Sequence, residues 1–441
     1  MLIGTAVIAA AFVAGVVGWR ALRDEPSRSS RDSPTWSELV VVDRVSGDVT
    51  WVDTDGDVVG DSSGNGRVGS VFAADGVVTL ASSNALTVLA DPDDDEENLV
   101  VELPARGTVE RLPLADRTLL VIGRTGGGDV VVVDPRERTV TDVGAAVAST
   151  LPNAPLMFVD TLRTNLDGSL FAIADATNFQ TIAIRPDGDE PLFLPDLPVA
   201  VGDDLIATSQ TVGLQADISL VTLDRTTEAN VPAEIPAGGE IIDDTLTMVS
   251  VAGGIFRIEP GAEEAERLGI LATPAGESVR AAAPVVGGDR IVASGTTFVA
   301  IVDLDGSAVY STVLPQAVEF VEPEPTWACL PVGGPGHWAA IIDVDGGEQL
   351  ADLAGVEVVS VVDDGCTVLA EREGVSEVIS ADGIVTIGTF DEVVLAPDGR
   401  SVVTVADGGT QLVPIEDLEL GEPVDLSGVA GVNSLIAFVP D

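Results

Sequence analysis

The stretches that decide the fold lie at the two ends of the chain: ELVVVDRVSGDVTWVD, from Glu38 to Asp53, and GVNSLIAFVPD, from Gly431 to Asp441. The first holds two strand-like runs around a polar turn, and the second is a single apolar run that ends the sequence. Short apolar runs between Gly, Asp, Asn and Pro clusters fill the chain between them, and no stretch after Glu38 keeps a helical period. The sequence therefore predicts an all-β domain.

The apolar runs fall into two alternating types, which is typical of a structural repeat. A first-type run follows an acidic or glycine-rich turn, as in LDGSLFAIAD from Leu166, and a second-type unit is a hairpin with a polar tip, as in TFVAIVDLDGSAVYSTV from Thr297. The Asp-Gly tips supply the positive φ that tight hairpin turns need. The first-type runs begin at Ala74, Ala115, Leu166, Gly202, Asp243, Gly288, Pro325, Asp363, Pro397 and Gly431.

The two series are out of step at the ends of the chain. The last first-type run has no hairpin after it, and the first hairpin, from Glu38, has no run before it. A closed ring explains this, because the C-terminal strand completes the sheet that the N-terminal hairpin begins and removes the exposed sheet edges. We therefore predict a single large β-propeller over residues 36–441, with about 8–10 four-stranded blades of about 40 residues each.

Ten runs exceed the blade number of most propellers, which leaves several architectures open. There are three possibilities. Either one or two hairpins are insertions on an eight-bladed ring, or the ring is unusually large, or the repeats divide between two propellers. A stack of β-sandwich domains is the structural alternative, and it does not explain the out-of-step ends.

The repeat resembles known propeller families. APDGRSVVTVAD (Ala396–Asp407) and NLDGSLFAIAD (Asn165–Asp175) are similar to the repeat of TolB-like and WD40-like propellers, and DVVVVDPRERTVTDV (Asp129–Val143) resembles the hairpin of YVTN-like propellers. The resemblance covers most of residues 36–441 and implies blade geometry without a site. The WD dipeptide and the tandem Trp motif of quinone-dependent propeller dehydrogenases are missing from the sequence, so neither function is implied.

The charge of the chain restricts its partners. The formal net charge is -51, and all 21 basic residues are Arg. Such a field repels nucleic acid, because phosphate binding depends on cationic side chains. The acidity indicates attraction of cations or of a basic partner, or solubility in a salty medium. With 46% hydrophobic residues, the chain has enough apolar surface to fold rather than stay disordered.

The N-terminus predicts a membrane anchor. Leu2 to Trp19 is an uncharged apolar run of membrane-spanning length, so we expect a transmembrane helix within residues 1–22 and a flexible Ser-, Arg- and Pro-rich tether over 23–35. A cleaved signal peptide is the alternative. By the positive-inside rule, the Arg residues after the run would keep the larger, C-terminal part of the chain in the cytoplasm. We nevertheless expect a single-pass protein of the cytoplasmic membrane with an extracytoplasmic ring, as in anchored propeller ectodomains of actinobacterial type, a source that the Arg-for-Lys usage indicates.

One acidic loop is a candidate metal site. Asp53, Asp55, Asp57 and Asp61 in DTDGDVVGD alternate as hard-cation ligands do, and the loop is similar to the calcium loops of integrin-type propellers. It departs from them because Gly56 stands at the fourth position of the loop and Val58 at the sixth, where the turn glycine is expected. A solvated acidic turn is the alternative, and so it is for the run DPDDDEEN from Asp91 to Asn98.

Three residues bear on redox and catalysis. Cys329 and Cys366 lie at nearly equivalent places in neighbouring repeats, which predicts either one disulfide or two buried thiols. His337 is the only histidine, and its place at the start of a hairpin strand favours a packing or turn role over catalysis.

The sequence thus favours a non-enzymatic, membrane-tethered acidic propeller that acts as an extracytoplasmic platform for another protein or a cell-envelope component. Two alternatives remain at this stage. One is a carboxylate- or metal-dependent hydrolase, of glycosidase or lactonase type, in the propeller channel. The other is a Ca²⁺-stabilised adhesin or sensor.

Overall fold

The computed structural model describes most of the chain after Thr35: residues 36–64, 66–90, 97–103, 108–114, 117–123, 130–143, 159–165, 167–175, 179–185, 191–285, 290–314, 327–334, 336, 338–362, 364–406, 409–431 and 433–440. They belong to one compact unit, Trp36–Asp441. The predicted anchor at 1–22 and tether at 23–35 lie outside the described residues. Within the described part, no segment forms an apolar helix of membrane-spanning length.

Ten antiparallel sheets, which we call blades 1 to 10, follow one another along the chain. Blades 1 to 5 are built from these strands: blade 1, β40 (Ser434–Pro440), β1 (Trp36–Asp43), β2 (Val49–Asp53) and β3 (Val58–Ser62); blade 2, β4 (Val68–Ala74), β5 (Val77–Ser82), β6 (Ala85–Val88) and β7 (Leu99–Glu102); blade 3, β8 (Thr108–Pro113), β9 (Thr118–Gly123), β10 (Val130–Asp134) and β11 (Thr139–Asp142); blade 4, β12 (Val159–Thr164), β13 (Phe171–Asp175), β14 (Gln180–Ile184) and β15 (Leu192–Pro195); blade 5, β16 (Leu197–Val201), β17 (Leu205–Val212), β18 (Gln215–Thr222) and β19 (Thr227–Ala233).

Blades 6 to 10 continue the series: blade 6, β20 (Pro236–Ile242), β21 (Thr245–Ser250), β22 (Gly254–Ile258) and β23 (Glu266–Ile270); blade 7, β24 (Ala281–Val285), β25 (Arg290–Ser294), β26 (Phe298–Asp303) and β27 (Ala308–Val313); blade 8, β28 (Cys329–Val332), β29 (Ala340–Asp343) and β30 (Gln349–Asp352); blade 9, β31 (Glu357–Val361), β32 (Thr367–Arg372), β33 (Val375–Ser380) and β34 (Gly383–Gly388); blade 10, β35 (Glu392–Leu395), β36 (Ser401–Ala406), β37 (Gly409–Glu416), β38 (Glu419–Leu420) and β39 (Val424–Asp425). Three strands are described for blade 8.

The hydrophobic core is divided into ten clusters, and each cluster fills the space between two neighbouring blades. Nine clusters join consecutive blades along the chain. The tenth joins blade 10 to blade 1, with Val403 and Leu412 from one side and Leu39 and Phe438 from the other. Ten sheets with ten interfaces make one closed ring, so the all-β propeller prediction is confirmed and the blade number is ten.

The ring closes through the two chain ends, as the out-of-step repeats predict. β1 pairs with β40 over its whole length, from Trp36 opposite Pro440 to Asp43 opposite Ser434. The last apolar run nevertheless takes a position that the sequence does not predict. In blades 2 to 7, 9 and 10 the first-type run forms the second strand, whereas β40 forms the first strand of blade 1. Three strands therefore come from the N-terminal end and one from the C-terminal end.

The second strand of a blade contains a continuous apolar run because this part of the strand is packed on both faces. In β17, Ile206 belongs to the cluster between blades 4 and 5, whereas Leu205 and Ala207 belong to the cluster between blades 5 and 6. A strand covered on both faces gains from apolar side chains at every position. This explains the continuous apolar runs that the sequence shows in place of an alternating pattern.

Candidate functional site: the two faces of the ring

Strand alternation sorts the turns of every blade onto two faces. Consecutive antiparallel strands run in opposite directions, so the turn from the first to the second strand and the turn from the third to the fourth lie at the same end of the blade. The remaining connections lie at the other end. We call the first end the acidic face, and the second end the opposite face.

Every blade places at least one acidic residue in the described turns of the acidic face. Because the turn before each first-type run and the tip of each hairpin both lie on this face, the two acidic signals of the repeat add together. These residues, in order from blade 1 to blade 10, are Asp55 and Asp57; Asp75; Glu137; Asp167; Asp203, Asp204 and Asp224; Asp243, Asp244, Glu259, Glu263 and Glu264; Asp305; Asp345 and Glu348; Asp364 and Asp382; Asp398 and Asp417.

Carboxylates of neighbouring blades influence one another on this face. Burial raises the pKa of Asp303 above its ordinary value; Arg290 opposes the shift, while the charges of Asp305 and Asp345 reinforce it. Asp345 lies in the turn between β29 and β30, which correspond to the third and fourth strands of other blades because the first-type run forms β28; Asp303 ends the third strand of blade 7. The electrostatic potential at a carboxylate on this face therefore depends on charges in neighbouring blades as well as on its own turn.

Several cations of the acidic face are already engaged by local carboxylates. Arg117 lies 3.0 Å from Asp134, Arg185 lies 2.6 Å from Asp204, and Arg290 contacts Asp303. Such pairs neutralise one carboxylate each and leave the surrounding acids uncompensated. The face is thus negative after its own ion pairs have been formed.

Some acidic side chains on this face also connect blades. The Asp75 carboxylate of blade 2 accepts a 2.6 Å hydrogen bond from the backbone N–H of Thr118 in blade 3. The Asn165 side-chain amide of blade 4 donates to the Asp203 carboxylate of blade 5 at 3.1 Å. These contacts give part of the acidity a structural role, whereas Asp243, Asp244 and Glu259 are exposed.

The turn conformation explains why acids occupy these positions. Asp243 and Asp244 form the two-residue turn between β20 and β21, and both have positive φ (48° and 62°). Asp and Asn adopt this region more readily than other residues with a side chain. At other turns the carboxylate accepts backbone hydrogen bonds; the N–H and hydroxyl of Ser307 hold the pKa of Asp305 below its ordinary value.

The opposite face has a different character. The turns between the second and third strands of blades 2, 5, 6 and 7 contain no acidic residue. Most exposed large apolar side chains at described turns or strand ends also lie on this face: Val45, Phe179, Val212, Leu214, Ile270 and Val313. Leu214 is 93% exposed at the tip of the β17–β18 hairpin, where residues 210–215 are all exposed. This hairpin tip projects from the body of the ring.

One carboxylate is buried in the first strand of its blade. Glu240 of β20 is 5% exposed, and its Oε1 atom has no hydrogen-bond partner among the described residues. Burial raises the pKa of Glu240 to about 8, and the charge of Arg163, in the first strand of blade 4, opposes the shift. The side chain is therefore neutral over most of the physiological range.

The predicted calcium ligands lie in and beside one hairpin turn. The Asp53 carboxylate accepts hydrogen bonds from the backbone N–H groups of Asp55 (3.0 Å) and Asp57 (2.9 Å), while Asp61 lies in β3. Within the described part of the chain, no three acidic, His or Cys side chains are grouped closely enough to hold a metal ion. The geometry supports a turn-forming role for Asp53, and Ca²⁺ binding stays a prediction.

Cys329 and Cys366 are joined in a disulfide, with their Cα atoms 4.8 Å apart. Cys329 begins β28 of blade 8, and Cys366 directly precedes β32 of blade 9. The bond therefore links two neighbouring blades, and the backbone N–H of Cys329 donates to the carbonyl of Asp364 beside it at 3.0 Å. His337 and residues 91–96 of the second acidic run lie outside the described residues.

Sequence reasoning did not identify Glu240 or the hairpin tip at Leu214. Glu240 is one acid among 72 in the chain, and it is buried without an ion pair to a described residue, whereas the buried Asp134 pairs with Arg117. The hairpin tip has a weak sequence signal, because Ser209–Ala216 is an uncharged stretch in a highly charged protein.

No protein-family model matches the chain, and no curated protein is similar to it in sequence. Among solved structures, the ring is similar to a eukaryotic initiation factor (10% identity, 88% of this chain and 96% of that chain covered, TM-score 0.43). It is also similar to the computationally designed Ika8 protein (12%, 69% and 95%, 0.40) and to the Neurospora crassa Pan2 WD40 domain (11%, 67% and 95%, 0.32). Similarity at this level adds nothing about function.

Proposed function

We propose that the protein is a non-enzymatic interaction platform whose acidic face binds a basic protein or a basic cell-envelope component. The observation that carries the proposal is that every blade places at least one acidic residue in the described turns of one face. A face with an excess of one charge attracts a complementary partner, accelerates its association and repels anionic competitors. A propeller suits this role because its turns vary without changing the core.

The location in this proposal rests on the N-terminal sequence. The apolar run from Leu2 to Trp19 supports a membrane anchor, and residues 23–35 support a tether that separates the ring from the bilayer. We place the ring on the extracytoplasmic side. The Cys329–Cys366 disulfide supports that side, because disulfides persist in oxidising compartments.

Binding of a nona-arginine peptide to the full chain in detergent tests the acidic face. The probe variant is Asp243→Asn/Asp244→Asn/Glu259→Gln/Glu263→Gln, which neutralises four exposed acids of blade 6. The matched control is Glu371→Gln/Glu373→Gln/Asp391→Asn/Glu392→Gln, with the same charge change on the opposite face. We expect the first set to weaken binding more than the second, with a steep dependence on salt. Equal losses would mean that net charge alone attracts the peptide.

Protease treatment of intact cells or spheroplasts that carry a C-terminal epitope tag tests the location. Loss of the tag without lysis is expected if the ring is extracytoplasmic. Protection until lysis would place the ring in the cytoplasm, where the Arg residues at 20–31 set the topology.

A further inference from the structure

A cleft on the opposite face lies between blade 2 and the first strand of blade 3. Its volume is about 330 Å³, and its lining residues are Arg67, Gly69, Ser70, Ala81, Ser82, Ser83, Leu103 and Val109. Small-molecule sites begin at about this volume and combine an apolar wall with a few polar groups. Here Ala81, Leu103 and Val109 supply the apolar wall, and an arginine and serine hydroxyls supply the polar groups.

Arg67 is the notable side chain of this cleft. Five other arginines, at 117, 185, 267, 290 and 372, form ion pairs with carboxylates, whereas Arg44, Arg225 and Arg280 form none with the described residues and do not line this cleft. The Arg67 side chain is exposed and forms no ion pair with any described residue, although the chain contains 72 acids. A guanidinium without a carboxylate partner presents a planar set of donors that fits a carboxylate in a bidentate arrangement.

The backbone on both sides of Arg67 is held in place. The N–H of Gly66 donates to the carbonyl of Ser46 at 2.9 Å, and the N–H of Val68 donates to the carbonyl of Arg44 at 3.1 Å. Both acceptors belong to the turn between β1 and β2 of blade 1. The backbone of Arg67 is thus held by the neighbouring blade, so that only the side chain has to be ordered when a ligand binds.

The serine side of the cleft is also ordered. The Ser82 hydroxyl donates to the carbonyl of Ala85 at 3.0 Å and accepts from the N–H of Ala85 at 3.0 Å, which closes the turn between β5 and β6. This turn fixes Ser83, whose exposed hydroxyl lines the cleft beside that of Ser70. Neither of those two hydroxyls bonds to another described residue, so both can donate to a bound anion.

We propose that this cleft binds a small organic acid, with the carboxylate on Arg67 and the serine hydroxyls and a short apolar body against Leu103 and Val109. The site is separate from the acidic face and lies at the opposite end of the blades. Its ligand has the opposite charge to the partner of the acidic face. The two binding activities therefore succeed or fail independently.

Fluorine NMR of 4-fluorobenzoate with the full chain in detergent tests the site, at about 0.15 M salt, where the Debye length of about 8 Å limits repulsion by distant acids. We expect saturable line broadening for 4-fluorobenzoate and at least about tenfold weaker binding of the neutral 4-fluorobenzyl alcohol, since charged hydrogen bonds contribute most of the selectivity. Equal binding of the alcohol would overturn the proposal, and so would the absence of saturable binding by the acid.

Two variants and a control locate the binding. Arg67→Gln removes the guanidinium, and Gly69→Val adds a side chain to the wall at a position where a Cβ meets only Ala81 O, at 3.5 Å. Both are expected to abolish the broadening while thermal unfolding shows that the ring stays folded. Arg280→Gln makes the same charge change on the same face, in the connection between β23 and β24 outside the cleft, and should leave binding intact. Retained binding in Arg67→Gln, or equal loss in Arg280→Gln, would assign the effect to general charge.

Discussion

The acidic face and the opposite face are built from the same ten blades, yet they differ in charge and in exposed apolar surface. On the acidic face every blade contributes a carboxylate, and adjacent blades reinforce one another, as Asp345 does at Asp303. On the opposite face four hairpin turns lack acids, and apolar side chains such as Leu214 are exposed. Strand direction alone separates the two sets of turns, so a repeat can give one ring two chemically distinct faces.

The two faces exist only while the ring is closed. We therefore expect the largest loss of stability from a change at the junction of blades 10 and 1. Phe438 of β40 is 5% exposed, and its ring lies 4.8 Å from that of Trp36 in an edge-to-face contact. Phe438→Ala should lower the free energy of unfolding by about 3–5 kcal/mol, because it leaves a cavity between blades 10 and 1. Urea unfolding measures the change.

Val45→Ala is the control for this closure prediction. Val45 is 70% exposed on the turn between β1 and β2, so its truncation should change stability by less than about 0.5 kcal/mol. Similar values for the two variants would contradict closure by the β40 core.

The next prediction compares how a buried carboxylate, that of Glu240, and an exposed carboxylate affect the pH dependence of stability. The pKa of Glu240 in the folded ring, about 8, lies above its ordinary value of 4.5, so the folded state keeps a proton that the unfolded chain releases between these values. The contribution of Glu240 to the free energy of unfolding is fully present below pH 4.5 and is lost as the pH rises to about 8. The slope is about 1.4 kcal/mol per pH unit.

Glu240→Gln should remove this slope. Between pH 5.5 and 7.5, urea unfolding of the native protein should show about 3 kcal/mol more loss of stability than that of the variant. Glu419→Gln, at an exposed position of the acidic face, should follow the native profile. Parallel profiles for all three proteins would show that Glu240 is ionised in the fold.

A smaller effect separates charge from backbone shape on the acidic face. Asp243→Asn/Asp244→Asn keeps residues that accept positive φ and removes two repelling charges, so we expect a gain of about 0.5 kcal/mol at low salt that disappears at about 1 M salt. Asp243→Ala/Asp244→Ala removes the same charges but places Ala at positive φ, at a cost of about 1 kcal/mol per residue. Equal stabilities of the two variants would show that turn shape is unimportant here.

The smallest stability effect belongs to the opposite face. Leu214→Ser should change the free energy of unfolding by less than about 0.5 kcal/mol, because the side chain is 93% exposed. It should shorten retention in hydrophobic-interaction chromatography. Leu418→Ser is the control at a turn of the acidic face, where neighbouring carboxylates already limit contact with the resin. A larger change for Leu418 would reverse the assignment of apolar character.

The sequence by itself determined the all-β propeller fold and the closure of its ring. The ten first-type runs left the blade number between about 8 and 10, whereas the out-of-step ends at Glu38 and Gly431 predict ring closure, because turn chemistry and strand burial leave local signals. The acidic turns were visible too. Their common face follows from antiparallel strand order once the blade is known.

Only the tertiary structure decided which residues stand apart from the repeat. It gives β40 the first position in blade 1, buries Glu240 near the charge of Arg163, and leaves Arg67 without an ion pair to any described residue in a cleft lined from two blades. Each of these depends on contacts between residues far apart in the chain. Local residue patterns report the period of burial and the turns, whereas burial of one carboxylate or the pairing of one arginine depends on which blades become neighbours.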